Sequence, residues 1–64
     1  MKWIDVREIA QELAEKYPEI DPQTVRFVDL HNLVVGLDGF DDDHGHGGEK
    51  VLEAIQATWI DEAE

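Results

Sequence analysis

Apolar residues recur at helical spacing in three parts of the chain. The first stripe consists of Val6, Ile9, Ala10, Leu13 and Tyr17. Asp5 precedes it as the predicted N-cap, and Glu8, three residues later, completes a capping box. Ile4 is placed to pack on Ile9 as a hydrophobic staple, and Pro18 ends the helix.

The rest of the pattern predicts three further helices. A short second helix begins with Asp21 as N-cap and Pro22 in its first position. The third takes Asp29 as N-cap and ends near Gly39, with the stripe Leu30, Leu33, Val34 and Leu37. The fourth begins near Glu49, and its buried face holds Leu52, Ile55 and Trp59. Further core aromatic residues are expected at Trp3, Phe27 and Phe40.

This pattern predicts an all-α fold, a single domain over residues 1–64 with about four helices. The second and third helices are joined tightly, as in a helix-turn-helix, and a glycine-rich acidic loop precedes the last helix. The chain has no cysteine, and its apolar stretches are too short to cross a bilayer. Its first residues lack the clean apolar stretch of a signal peptide. We therefore expect a cytoplasmic protein that does not bind membranes.

Acidic residues dominate the charge. Sixteen Asp and Glu stand against five Lys and Arg, for a formal net charge of −11. This excess repels phosphate backbones, so the helix-turn-helix pattern does not indicate nucleic-acid binding. It attracts cations and basic protein surfaces. Five acids fall within about 80° on the first helix, away from its apolar stripe: Asp5, Glu8, Glu12, Glu15 and Glu19. This face is either a solvated surface or a binding surface.

The stretch FDDDHGHGGEK concentrates candidate metal ligands. They are Asp41, Asp42, Asp43, His44, His46 and Glu49. Carboxylates suit hard divalent cations, whereas imidazoles favour iron and later transition metals. The stretch is not an EF-hand, because with Asp38 first, Asp43 occupies the sixth position, where glycine is required. Two interpretations stay open, a wet flexible loop and a weak, water-completed site in which Asp41 and Asp43 face the same way. His31 is interpreted as a half-buried helix residue.

No nucleophile has an adjacent base, and the chain is too short to enclose a substrate, so we do not expect an enzyme. Four segments nevertheless form a recognisable set: KWxDxREI, YPEIDPQTVRFVDLH, FDDD and EKVLEAIQATWIDEAE. Together they resemble the IscX family, also called YfhJ, over essentially the whole chain. The resemblance implies a modified winged-helix topology and a role in bacterial iron–sulphur cluster assembly. It also implies weak binding of Fe²⁺ and, through acidic surface residues, binding of the pathway's cysteine desulfurase.

Six of the acids in the matching segments, together with His31 and two more acids of the first helix, are the partner-binding candidates. They are Asp5, Glu8, Glu12, Glu15, Glu19, Asp29, His31, Asp61 and Glu62. The family further implies a monomer that competes with a frataxin-like protein or ferredoxin for the desulfurase. The segment HGHGG departs from the family, so a role for His44 and His46 is not inherited. The leading hypothesis is an acidic adaptor, and the alternatives are an iron-delivering metallochaperone and a generic acidic interaction domain.

Overall fold

The computed structural model describes residues 1–64 and contains three α-helices. They are α1 (Val6–Lys16), α2 (Phe27–Val35) and α3 (Glu49–Ala63), and a short 3₁₀ helix, His44–His46, lies in the loop before α3. There is no β-strand. The predicted all-α class and the start of the last helix at Glu49 are confirmed, whereas the winged-helix topology is not. No helix combines the length and apolarity that a bilayer span requires.

The core lies between α1 and α3, which pack extensively on each other, and α2 contacts both. Ten buried apolar residues form it: Trp3, Ile9, Ala10, Leu13, Leu30, Val34, Leu37, Leu52, Ile55 and Trp59. Trp59 is 1% exposed and Trp3 is 3% exposed, as predicted. Phe27 and Phe40 are half-buried against this cluster. No polar or charged residue is buried, so every Asp and Glu side chain is exposed or half-buried.

The predicted second helix is wrong, because residues 22–24 form a turn. The Asp21 carboxylate accepts a hydrogen bond from the Gln23 N–H at 3.0 Å, and the Asp21 carbonyl accepts one from the Thr24 N–H at 3.1 Å. Such an Asx turn offers the backbone an alternative to the helix that the same Asp-Pro sequence can start. The Gln56 side chain of α3 donates to the Pro22 and Val25 carbonyls and holds the segment in place. The helix-turn-helix pairing is therefore absent.

The predicted bounds of the next helix are also wrong at both ends. It begins at Phe27 after Arg26, so Asp29 lies within the first turn and is not the N-cap. It ends at Val35, before Gly39. Gly39 instead occupies the third position of a turn closed by the Phe40 N–H and the Leu37 carbonyl, with φ of 86°. A positive φ in this position is the conformation for which glycine is favoured.

The predicted cap of α1 is only partly correct. Asp5 does precede the helix, but its carboxylate accepts a hydrogen bond from the Lys2 N–H at 2.9 Å and caps no helical N–H. The hydrophobic staple is wrong, because Ile4 is 82% exposed. Trp3 packs in the core instead. Ile4, the next residue along the chain, therefore points to solvent.

Candidate functional site

The first three residues pair with the acidic loop. The Asp41 N–H donates to the Met1 carbonyl at 3.0 Å, and Lys2 Nζ donates to the Asp41 carbonyl at 2.8 Å. The Met1 amino group donates to the Gly39 carbonyl and to Asp41 Oδ1, the latter at 3.2 Å. This amino group and, after it, Lys2 hold the pKa of the Asp41 carboxyl below its usual value.

Asp42 and Asp43 also take structural roles in the loop. Asp42 accepts the Trp3 N–H at 3.1 Å and the Asp43 N–H at 2.7 Å, and these two backbone donors lower its pKa. Asp43 caps the 3₁₀ helix by accepting the Gly45 N–H at 2.8 Å, while its carbonyl accepts Trp3 Nε1–H at 2.8 Å. The three aspartates therefore do not face one point. Their hydrogen bonds order the loop, whereas one of the two interpretations of the sequence was a flexible loop.

Trp3 is the centre of this arrangement. Its ring meets the Phe40 ring edge-on, with centroids 5.0 Å apart, and the His31 ring at 5.3 Å. His31 Nε2 lies 2.7 Å from the His44 carbonyl, which can only accept, so this nitrogen carries the proton. A Cβ on Gly47 would lie 2.5 Å from the indole, so only glycine fits there without a shift. His31 is half-buried, as its helical position predicted.

The metal-ligand candidates lie around the 3₁₀ helix. His46 Nδ1 is 3.6 Å from Asp42 Oδ1, and His46 Nε2 is 4.0 Å from Asp43 Oδ2. Nowhere do three His, Asp or Glu side chains gather so that they could hold one ion. Because metal–ligand bonds are about 2 Å long, Asp43 and His46, whose donors lie 4.0 Å apart, could share one ion only from opposite sides of it. The donor set therefore does not fit a closed centre.

The remaining two ligand candidates stand apart from that pair. Glu49 is exposed in the first turn of α3. The His44 ring is exposed and lies 6.2 Å from the Phe40 ring, measured between centroids. Neither side chain takes part in an ion pair of the chain.

The acidic face of the first helix is smaller than predicted. Glu8 and Glu15 are exposed on α1 and Glu12 is half-buried, but Glu19 lies in the turn that follows the helix. Asp5, at the other end, is half-buried. The predicted position of Glu19 on this helical face is therefore wrong, because the helix ends at Lys16, before Pro18.

A second group of acids lies in the last turn of α3, where Asp61 and Glu62 are exposed. Gln11 of α1 donates to Glu62 at 3.4 Å, and Glu15 and Glu62 line one shallow groove between the two helices. Glu15 near the end of α1 and Glu62 in the last turn of α3 therefore lie on one acidic surface. Asp29, in contrast, is exposed on α2.

Sequence patterns missed the parts that Lys2, Trp3 and Gly47 play in building the loop. Their partners lie about 40 residues away along the chain, so no local periodicity reports them. The available signal was indirect: a lysine–tryptophan pair at positions 2 and 3 of a chain that also contains the run Asp41–Asp43.

Fold and charge together define a small, strongly acidic helical domain whose carboxylates face outward. Residues 1–64 match the model of a protein family described as iron–sulphur cluster assembly. An uncharacterised protein of Pseudomonas aeruginosa is 60% identical over 62 residues, which are 97% of this chain and 94% of that relative. The chain belongs to this family, the IscX or YfhJ family of iron–sulphur cluster assembly proteins.

Proposed function

We propose that the protein is a non-enzymatic, cytoplasmic adaptor of iron–sulphur cluster assembly that binds the pathway's cysteine desulfurase through its acidic surface. One observation carries this proposal. Every ion pair of the chain involves Asp41, Asp42 or Asp43, so the acids of α1 and α3 have no basic partner within 4.0 Å. Unpaired carboxylates on one surface raise the encounter rate with a basic protein and lose this effect in salt.

The charge at the C-terminal end of α3 supports the same proposal. Its last turn holds Asp61 and Glu62 and no basic residue. The helix dipole places partial negative charge there, so acids at this end are unfavourable in the isolated protein. A basic partner surface would relieve that repulsion. A monomer leaves this surface free for the desulfurase, and a frataxin-like protein or ferredoxin that docks on the same basic patch would compete for it.

Fe²⁺ would bind weakly at the loop, as a transient ligand and not as a built-in cofactor. Asp43 and His46 offer donors 4.0 Å apart, and Asp41 lies in the same segment. Because Asp41 and Asp42 already accept hydrogen bonds that hold the N-terminal segment, the ion has to compete with these contacts. Metal occupancy would thereby alter the loop and, through it, desulfurase docking.

The test is a titration of ¹⁵N-labelled protein, followed by NMR, first with purified cysteine desulfurase and then anaerobically with Fe²⁺. We expect the desulfurase footprint to cover Glu8, Glu15 and Glu62, and the Fe²⁺ footprint to centre on Asp43 and His46. A protein whose main task is iron delivery would instead hold Fe²⁺ equally well free and in the complex. No desulfurase footprint at all would overturn the proposal.

The iron contact has its own test, the anaerobic Fe²⁺ affinity of two double variants. Asp41→Asn/Asp43→Asn should bind Fe²⁺ more weakly than the wild type at any pH. His44→Ala/His46→Ala should bind more weakly only above about pH 6.5, where imidazole is neutral and able to ligate. If the aspartate variant binds Fe²⁺ as well as the wild type, the loop is a connector and the ion binds elsewhere.

A further inference from the structure

An apolar groove lies beside the acidic loop, next to the start of α1. Its surface is formed by Trp3, Ile4, Val6, Val51 and Ala54, and its volume is about 490 Å³. Asp42 and Lys50 supply its polar edge. The hydrogen bonds of Trp3 and Asp42 fix one wall, and α3 fixes the other, so the groove is formed before any partner arrives.

Ile4 is the exposed part of this groove. It is 82% exposed, the most exposed large apolar residue of the chain, although its neighbour Trp3 is 3% exposed. One exposed aliphatic side chain is ordinary in a folded protein. Ile4 differs because it stands at the rim of a continuous apolar concavity, where a second apolar side chain could lose water on several sides at once.

The groove adjoins the acidic surface. A neighbouring concavity is lined by Ile4 and Val6 together with Asp5, Glu8, Gln11 and one basic residue, Arg7. Ile4 and Val6 therefore belong to both concavities, and carboxylates stand directly beside the apolar floor. A partner that covers one concavity also covers part of the other.

We propose that Ile4 is the apolar anchor of the docking surface. The groove takes an apolar side chain that projects from a basic protein surface, while Asp5 and Glu8 face the basic side chains around it. This inference rests on the proposed function and adds to it a contact that charge alone would not supply.

Charge selects this occupant over the alternatives. A second copy of the chain brings another net charge of −11 and the same carboxylates to the contact. An anionic lipid surface is repelled for the same reason. Across the two concavities the acids Asp5, Glu8 and Asp42 outnumber the bases Arg7 and Lys50. A basic partner with an apolar side chain is therefore the class of surface that complements both the groove and the charge beside it.

The two parts of the surface should affect binding differently. Long-range attraction by carboxylates acts mainly on the association rate and weakens with salt. Contact in the groove forms only after docking, so its loss should raise the dissociation rate and leave the salt dependence unchanged. A buried apolar anchor at the centre of an interface is the kind of residue that dominates affinity.

The experiment compares Ile4→Ser with Val28→Ser by measuring association and dissociation rates with purified cysteine desulfurase at several salt concentrations. Val28 is 66% exposed on α2, outside the groove, and is the matched control. We expect Ile4→Ser to weaken binding about tenfold or more, mainly through faster dissociation. Val28→Ser should bind like the wild type, and both variants should melt like the wild type because both side chains are exposed.

Ile4→Ser binding within about twofold of the wild type, or an equal loss in Val28→Ser, would overturn the anchor and leave the adaptor proposal standing. A wild-type protein that forms no complex with the desulfurase overturns the adaptor proposal and the anchor with it. Sedimentation of the protein alone provides the last check. Self-association that Ile4→Ser abolishes would show that the groove takes a second copy, which contradicts the inference.

Discussion

Gly47→Ala should destabilise the protein through its contact with Trp3. An added Cβ would lie 2.5 Å from Trp3 Cζ2, 2.6 Å from Cη2 and 2.9 Å from Cε2, so something has to move. The indole cannot withdraw easily, since its Nε1–H is bonded to the Asp43 carbonyl and its ring packs on Phe40. The loop that carries position 47 is held by the same contacts.

The expected loss follows from two opposing effects. Overpacking a filled site costs about 1–3 kcal/mol. Replacing glycine restricts the unfolded chain and returns about 0.4–1 kcal/mol. A net loss of about 1–2 kcal/mol lowers the melting temperature of a domain this small by roughly 4–16 °C. That loss is a large share of the total of about 3–5 kcal/mol that such a domain holds.

The assay is thermal unfolding followed by circular dichroism, with Gly48→Ala as the matched control. A Cβ at Gly48 meets no atom within 4 Å, and its φ of −76° suits alanine. Alanine is a somewhat poorer N-cap than glycine, which lowers the free energy of unfolding, but it also restricts the unfolded chain, which raises it. These two effects nearly cancel at position 48. If Gly47→Ala and Gly48→Ala melt within about 2 °C of each other, Trp3 is not held against the loop as described.

Three further results are expected. Trp59→Ala, which removes a core side chain that is 1% exposed, should cost about 3–5 kcal/mol and leave the protein largely unfolded; a cooperative melt close to the wild type would contradict the packing of α3. Glu8→Lys/Glu12→Lys should slow association with the desulfurase while dissociation stays nearly constant, and an unchanged association rate would exclude α1 from the docking surface. Asp42→Asn should be less stable than the wild type near neutral pH. Because folding lowers the pKa of Asp42, this difference should be complete above its unfolded value near 3.8 and shrink as pH falls through the lower folded value. Asp38→Asn is the control, since its carboxylate accepts no hydrogen bond, and a pH-independent difference for Asp42→Asn would refute the assigned bonds.

The sequence was sufficient for the helices whose apolar residues repeat over several turns. The spacing of Ile9 and Leu13 placed α1, and that of Leu52, Ile55 and Trp59 placed α3, because burial of a stripe decides where a long helix lies. The sequence was not sufficient where one motif is compatible with two structures. The Asp-Pro pair at Asp21 can start a helix, but in this protein it forms a turn.

The candidate site was harder to predict for a different reason. The composition of the loop drew attention to Asp41 to Asp43, yet it could not show that their partners are the backbone and side chains of residues 1–3. Contacts between the two ends of a segment of some 40 residues leave no periodicity in the sequence. The exposure of Ile4 was missed for the same reason, since it depends on Trp3 having taken the buried place.

The most direct test of the adaptor proposal is the association rate of the wild-type protein with purified cysteine desulfurase as a function of ionic strength. Attraction between exposed charges is screened over about 8 Å at physiological salt. Between about 0.05 and 0.5 M salt we therefore expect the association rate to fall by at least about tenfold, while the dissociation rate changes little. An association rate that stays constant over this range, or the absence of any complex at low salt, would contradict docking through the acidic surface.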